Sequence, residues 1–205
     1  MSRPREASVG QGAVSGQVGV ESSARSRTRA AILAATASAL AANPTATLDE
    51  ITAVAGIGRT TLHRYFPSRT RLLHAAAMNS AAVVTDVVAQ AVTDQGPALE
   101  AVRRLVFALV PVGDHLVFLL GAPKGLENIA PGDRPTHRRV THLIQRGHRE
   151  GVFHSDFSPR WVQRWLLTLL LAGCQEVSIC GLPLHTAAPL ILRTFERGIA
   201  ADRDC

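Results

Sequence analysis

The stretch GIGRTTLHRYFPSRTRLL, residues 56–73, decides the fold. It carries four arginines and a histidine, no acid, and apolar residues threaded between them. Just upstream, Thr47 and Glu50 stand at the S/T-x-x-E spacing of a capping box, which starts a helix at Leu48. Gly56 ends that helix as a left-handed cap, and a second short helix follows from Arg59 to about Phe66, with Gly58 as its N-cap. Neither segment is long enough to hold its shape alone, so the two must pack on each other as a helix-turn-helix. Ile51, Ala55, Ile57, Leu62 and Phe66 supply the small core. The opposite face of the second helix carries Arg59, Thr60, Thr61, His63, Arg64 and Tyr65, the donors and flat ring suited to phosphates and base edges. Thr47, at the start of the first helix, is counted with this set. Ser68 then caps a long fourth helix whose first turn is Arg69-Thr70-Arg71. Cations there oppose the helix macrodipole, an arrangement that makes sense for holding an anion.

Working outward, composition agrees with a helical protein that meets a polyanion. The 205 residues are 46% hydrophobic but only 4% aromatic, and the net charge is +6 with a pI near 10.5. Only Lys124 is lysine, so the positive charge is nearly all arginine, the better fork for phosphate and guanine, although a GC-rich genome explains most of that bias. Cys174, Cys180 and Cys205 form no CxxC pair and fit reduced thiols in a cytoplasm. Residues 1–24 lack both a signal-peptide core and aromatic residues, and are expected to be a disordered arm, with order beginning near Ser26. The longest apolar run, Trp165–Cys174, is too short to span a membrane.

Helical punctuation continues along the chain. A first helix ends at Asn43-Pro44, and a fifth opens at Gly96-Pro97 with proline at its first position. Asp114 caps a short sixth, residues 121–133 make a Gly/Pro loop, and a seventh runs from about Arg134 to Arg149. Ser158-Pro159 starts an eighth that lasts to Cys180, and a ninth covers about Thr186 to Ala200. No strand signal and no repeat is present. The expected architecture is all-α, about nine helices: an arm over 1–24, a helix-turn-helix DNA-binding domain over 25–74, and a further helical domain over 75–205.

The segment LDEITAVAGIGRTTLHRYFPSRTRLL, within about residues 26–74, resembles the DNA-binding domain of the TetR family of bacterial transcription regulators. The likeness rests on the capped second helix, the glycine turn, the recognition helix ending in an aromatic, and Phe66-Pro67-Ser68 leading into helix four. It implies that Thr60 and Thr61 meet base edges. His63 falls where a tyrosine usually grips phosphate, Arg69 where a lysine does so, and Tyr65 at a common histidine position. It also implies a palindromic double-stranded operator, a repressor released by a small effector, and a homodimer joined through the last two helices.

In the second half, WLLTLLLAGC is apolar all round and needs partners on every side. One face serves its own domain, and the other is expected to meet a second copy, with Leu166, Leu170, Leu190, Ile191 and Thr194 near the centre. The resemblance implies that 75–205 is a ligand-binding and dimerisation domain with an effector site among helices five to eight, for which Phe107, Leu116, Phe118, Leu119, His142, Gln145 and Trp165 are the candidate lining residues, toward an apolar or aromatic ligand. No metal or other cofactor is expected: His137, His142, His148 and His154 are spaced by five or six, off a common helical face. GAPKG lacks the P-loop spacing, and no nucleophile motif occurs, so no enzyme is expected. The competing readings are a DNA binder without a ligand and, more remotely, an enzyme acting on small apolar molecules.

Overall fold

The computed structural model describes residues 14–92, 95–121 and 135–199, and all regular structure among them is helical. The elements are α1 (Val14–Ala42), α2 (Leu48–Ala55), α3 (Arg59–Tyr65), α4 (Arg69–Ala91), α5 (Ala98–Leu109), α6 (Gly113–Leu120), α7 (Pro135–Arg149), α8 (Pro159–Cys180) and α9 (Leu184–Ile199). A 3₁₀ turn, Val110–Val112, joins α5 to α6. The Gly/Pro loop expected over 121–133 lies outside the described residues, apart from Gly121.

Two expectations need correction. Helix α1 begins at Val14, so the expected arm is helical over 14–24, while residues 1–13 lie outside the description. Gly16 and Gly19 each cost about 1 kcal/mol relative to alanine, but extending an anchored helix needs no second nucleation. Asp114 does not cap α6. It sits inside the first turn, and its carboxylate accepts hydrogen bonds at 2.6 Å from Ser38 Oγ of α1 and at 2.6 Å from Ser178 Oγ of α8.

The local signals place the N-terminal helices as expected. Thr47 and Glu50 form the full capping box, and Gly56 takes φ 64°, a left-handed conformation that strains any side-chain-bearing residue. Ile32, Leu33 and Leu40 of α1, Ile51 of α2, Leu62 of α3, Phe66 just after α3 and Leu72 of α4 are all buried in one core. That core runs on without a break into the C-terminal half. Helix α4 is apolar and long enough to cross a membrane by length and composition alone, yet Leu72, Ala76, Ala77, Ser80, Val84, Val88 and Ala91 are all buried against neighbouring helices. Helix α9 lies along α8 and is tied to α5 by a bidentate fork, Arg103 Nε and Nη2 donating to Glu196 at 2.7 and 3.0 Å.

Helix α6 packs against α1, α4 and α8. Its close approach to α8 requires Gly113, because a Cβ there would stand 2.6 Å from Cys174 Sγ. Burial, with the charge of Asp114 behind it, pushes the Cys174 thiol up to about 11, so it stays protonated. Next to Asp114, His115 Nδ1 pairs at 2.8 Å with the fully buried Ser80 Oγ of α4. Serines from three helices thus converge on two adjacent residues of α6.

Burial holds the His115 imidazole below its ordinary value, against the smaller opposing pull of Asp114. The folded protein therefore binds that proton less well than the unfolded chain. The resulting stability is complete above the ordinary histidine value of about 6.5 and is lost as pH falls below it. Melting temperatures measured across this range should fall on acidification, and His115→Gln should flatten part of that fall. Parallel pH profiles for the two proteins would contradict the assignment.

Candidate nucleic-acid interface and effector cavity

Helix α3 presents Arg59, Thr60, His63 and Arg64 to solvent, with Thr61 and Tyr65 half-buried beside them. All six expected contacts on α3 therefore reach solvent at least in part, and Thr47 is exposed at the start of α2. Leu62 faces inward, and the α3 N-cap, Gly58, offers no side-chain bond. Two arginines are already engaged. Arg59 Nε meets Asp49 Oδ1 of α2 at 2.6 Å in an ion pair exposed on both sides, the kind worth at most about 1 kcal/mol and easily surrendered to a phosphate. Arg69 Nη2 donates to the Ala46 carbonyl at 2.7 Å, which pins the start of α4 to the loop before α2. A guanidinium has five N–H donors, so this bond fixes the direction of Arg69 and leaves capacity for an anion. Ser68 caps α4, its Oγ accepting from Arg71 N at 3.3 Å. Arg25 and Arg64 both lie over the Tyr65 ring, with guanidinium carbons 5.9 and 5.6 Å from its centroid, and Arg29 lies 5.4 Å over Phe66. The involvement of α1 was not read from the sequence. The sequence shows only the i, i+4 spacing of Arg25 and Arg29, and the aromatic pair they rest on lies far along the chain.

The second site is a cavity of about 120 Å³ between α4, α5, α6, α7 and α8. A single water needs roughly 10–15 Å³ of such space, so there is room for several heavy atoms. Its wall is aliphatic: Val84 and Val88 of α4, Leu105 and Leu109 of α5, Leu116, Leu119 and Leu120 of α6, Val140 of α7, and Leu166, Leu167 and Leu170 of α8. One side is polar. Thr85 and Thr136 pair at 3.0 Å, and Gln163 accepts from Thr141 Oγ1 at 2.9 Å while its amide reaches His137 Nδ1 at 3.1 Å. His137, Gln163 and Leu167 also border an open groove between α7 and α8.

Of the expected pocket residues, only Leu116 and Leu119 line this cavity. Phe107 stands 53% exposed on the outer side of α5, because the inward stripe of that helix is Val102, Leu105, Val106 and Leu109. Phe118 is buried on the opposite side of α6, beside Leu40, Val117 and Leu171. His142 is exposed, and Gln145 lines the outer groove. Trp165 is half-buried against Gly198 of α9, and its buried Nε1 has no partner among the described residues. The missed wall residues on α4 and α5 follow the i, i+4 stripes Val84/Val88 and Leu105/Leu109. That pattern marks a core face equally well, and only tertiary packing reveals a hollow within it.

The expected dimer centre is corrected in the same way. Leu166, Leu170 and Ile191 are 1%, 2% and 3% exposed within the single chain, so they belong to its own core. Leu190 and Thr194 are exposed. With Thr168, Ala172 and Ile179 of α8 they form an outward stripe at helical spacing.

A helix-turn-helix with a basic outer face, joined through a continuous core to a helical domain with an aliphatic hollow, defines a transcription regulator. The model of the bacterial regulatory proteins, tetR family, matches residues 32–76. The chain is 34% identical over 182 residues to the HTH-type transcriptional repressor LfrR of Mycolicibacterium smegmatis, covering 88% of this chain and 94% of that protein. It is 27% identical over 143 residues to the HTH-type transcriptional regulator NfxB of Pseudomonas aeruginosa, covering 68% and 76% respectively. The crystal structure of LfrR aligns with a TM-score of 0.70 at 31% identity over 87% of this chain and 99% of that one, and its complex with proflavine aligns with a TM-score of 0.61. The chain belongs to the TetR family of transcription regulators.

Because Trp165 packs against α9 outside the cavity, Trp165→Ala should lower the melting temperature, at a cost near 3 kcal/mol, the low end for truncating a large aromatic. DNA affinity and any effector response should stay as in the parent protein. An unchanged melting temperature with a lost effector response would return Trp165 to the sensing site.

Proposed function

We propose that this chain is a homodimeric repressor that works in the cytoplasm, binds a palindromic operator, and leaves it when a small apolar or aromatic molecule occupies the α4–α8 cavity. In this reading Thr60 and Thr61 meet base edges. His63, Arg64 and Arg69 hold phosphates, and Arg59 joins them once it exchanges Asp49 for DNA. The observation that carries the reading is the position of α6. Leu116, Leu119 and Leu120 wall the cavity, while Asp114 and His115 of the same helix are hydrogen-bonded to α1, α4 and α8. A ligand that fits one placement of α6 better than another therefore biases the seat of the helix-turn-helix. Release requires only that difference in affinity: each tenfold preference shifts the equilibrium by about 1.4 kcal/mol. The repressor LfrR, crystallised with proflavine, is a relative of the same kind. A DNA binder without a ligand is disfavoured by the cavity, which an unliganded core would close at a gain in packing.

The test uses genomic fragments retained by the protein, with proflavine and a panel of apolar and aromatic metabolites titrated against the complex. At least one compound should release the DNA. Leu120→Trp, which places an indole in the cavity in place of a wall leucine, should retain full DNA affinity and lose the release. If no compound alters DNA affinity, the effector reading fails.

The dimer rests on the outward stripe of α8 and α9. Ile179→Arg and Leu190→Arg put a charge on that stripe and should give folded monomers by light scattering, losing several kcal/mol of association. Leu170→Arg should instead unfold the subunit. Dimers that survive both surface changes would place the interface elsewhere.

A further inference from the structure

The Tyr65 ring holds two arginines that come from different helices. Arg64 belongs to α3, whose outer face is the proposed DNA surface, and Arg25 belongs to α1. Together with Ala24 and Thr28 they line an open groove at the edge of that surface. Both arginines are exposed, and among the described residues neither has a carboxylate partner, whereas Arg59 on the same face is paired with Asp49. Two like charges gathered on one ring repel each other, and no acid among the described residues offsets them. Such a placement becomes favourable when an anion enters between or above them. One turn along α1, Arg29 rests on Phe66 in the same manner, so α1 meets the end of α3 through aromatic–guanidinium contacts at two successive residues. A guanidinium lying on a ring loses rotamer freedom before any ligand arrives, and so less remains to be lost on binding.

We infer that Arg25 is a DNA-phosphate contact, that the operator-facing surface extends from α3 onto α1 through the Arg25–Tyr65–Arg64 groove, and that Tyr65 is the positioning residue that aims both guanidiniums. The inference rests on the reading of α3 as the DNA surface and lengthens it. Because phosphate contact is blind to sequence, a random-sequence duplex is a sufficient probe. Each phosphate contact contributes about 0.9 to the slope of log affinity against log salt.

The experiment measures that slope for the parent protein and for Arg25→Ala, Arg27→Ala, Tyr65→Phe and Tyr65→Leu, with circular dichroism melts of each. Arg27 carries the same charge on the same exposed helix but rests on no ring, so its variant controls for net charge. Arg25→Ala should lower the slope by about 0.9, Arg27→Ala should leave it unchanged, Tyr65→Phe should match the parent, and Tyr65→Leu should lower it while remaining folded. An unchanged slope for Arg25→Ala, or an equal fall for Arg27→Ala, overturns the contact. Loss of slope in Tyr65→Phe, or none in Tyr65→Leu, overturns the positioning role. A parent protein that shows no salt-dependent DNA binding would take down the reading of α3 itself, which separates that failure from failure of this inference.

Discussion

Two hydrogen bonds to one carboxylate hold the two halves of this molecule in register. Asp114 accepts from a serine of α1 and a serine of α8 at 2.6 Å each, and its neighbour His115 meets the buried Ser80 of α4. A partly buried carboxylate is tolerable only when its oxygens are satisfied, so α1 and α8 cannot drift from α6 without leaving an unpaired charge, and α4 cannot without stranding the buried Ser80 hydroxyl. Gly113 is the steric counterpart, since its missing side chain lets α6 approach Cys174 of α8 closely enough for those bonds to form. The cavity, the outward stripe of α8 and the seat of the helix-turn-helix all take their positions from this junction.

The DNA-facing end shows a second balance, between holding side chains in place and keeping them available. Arg69 is directed by the Ala46 carbonyl, Arg59 is parked on Asp49, and Arg25 and Arg64 rest on Tyr65. Each arrangement fixes a long side chain at small cost while leaving donors free, so a surface made of flexible arginines acquires geometry before it meets a partner.

The N-terminal half was legible in the sequence because its signals are local. The Thr47–Glu50 capping box, the left-handed Gly56 and the Ser68 cap all act within a few residues, and each appears where the spacing predicts it. Helix α8 was legible in extent but not in rotation. WLLTLLLAGC has no polar edge to say which leucines face inward, so Leu166 and Leu170 were placed at an interface when they belong to the subunit core. Cavity residues were harder still. Val84, Val88, Leu105 and Leu109 carry the same spacing whether the space between helices is filled or hollow, and large aromatics such as Phe107 and Trp165 drew attention that the packing does not support. The function of Asp114 was hidden because its partners, Ser38 and Ser178, lie 76 and 64 residues away in the chain.

The most direct measurement is selection of bound duplexes from a random-sequence pool, with the enriched motif read by sequencing. A symmetric regulator with α3 as its reading element should enrich an inverted repeat whose half-sites lie about one helical turn apart, or a multiple of it, on one face of the DNA. The account predicts that repeat. A pool that shows no enriched motif, or a single asymmetric site bound equally well by one subunit, would contradict it.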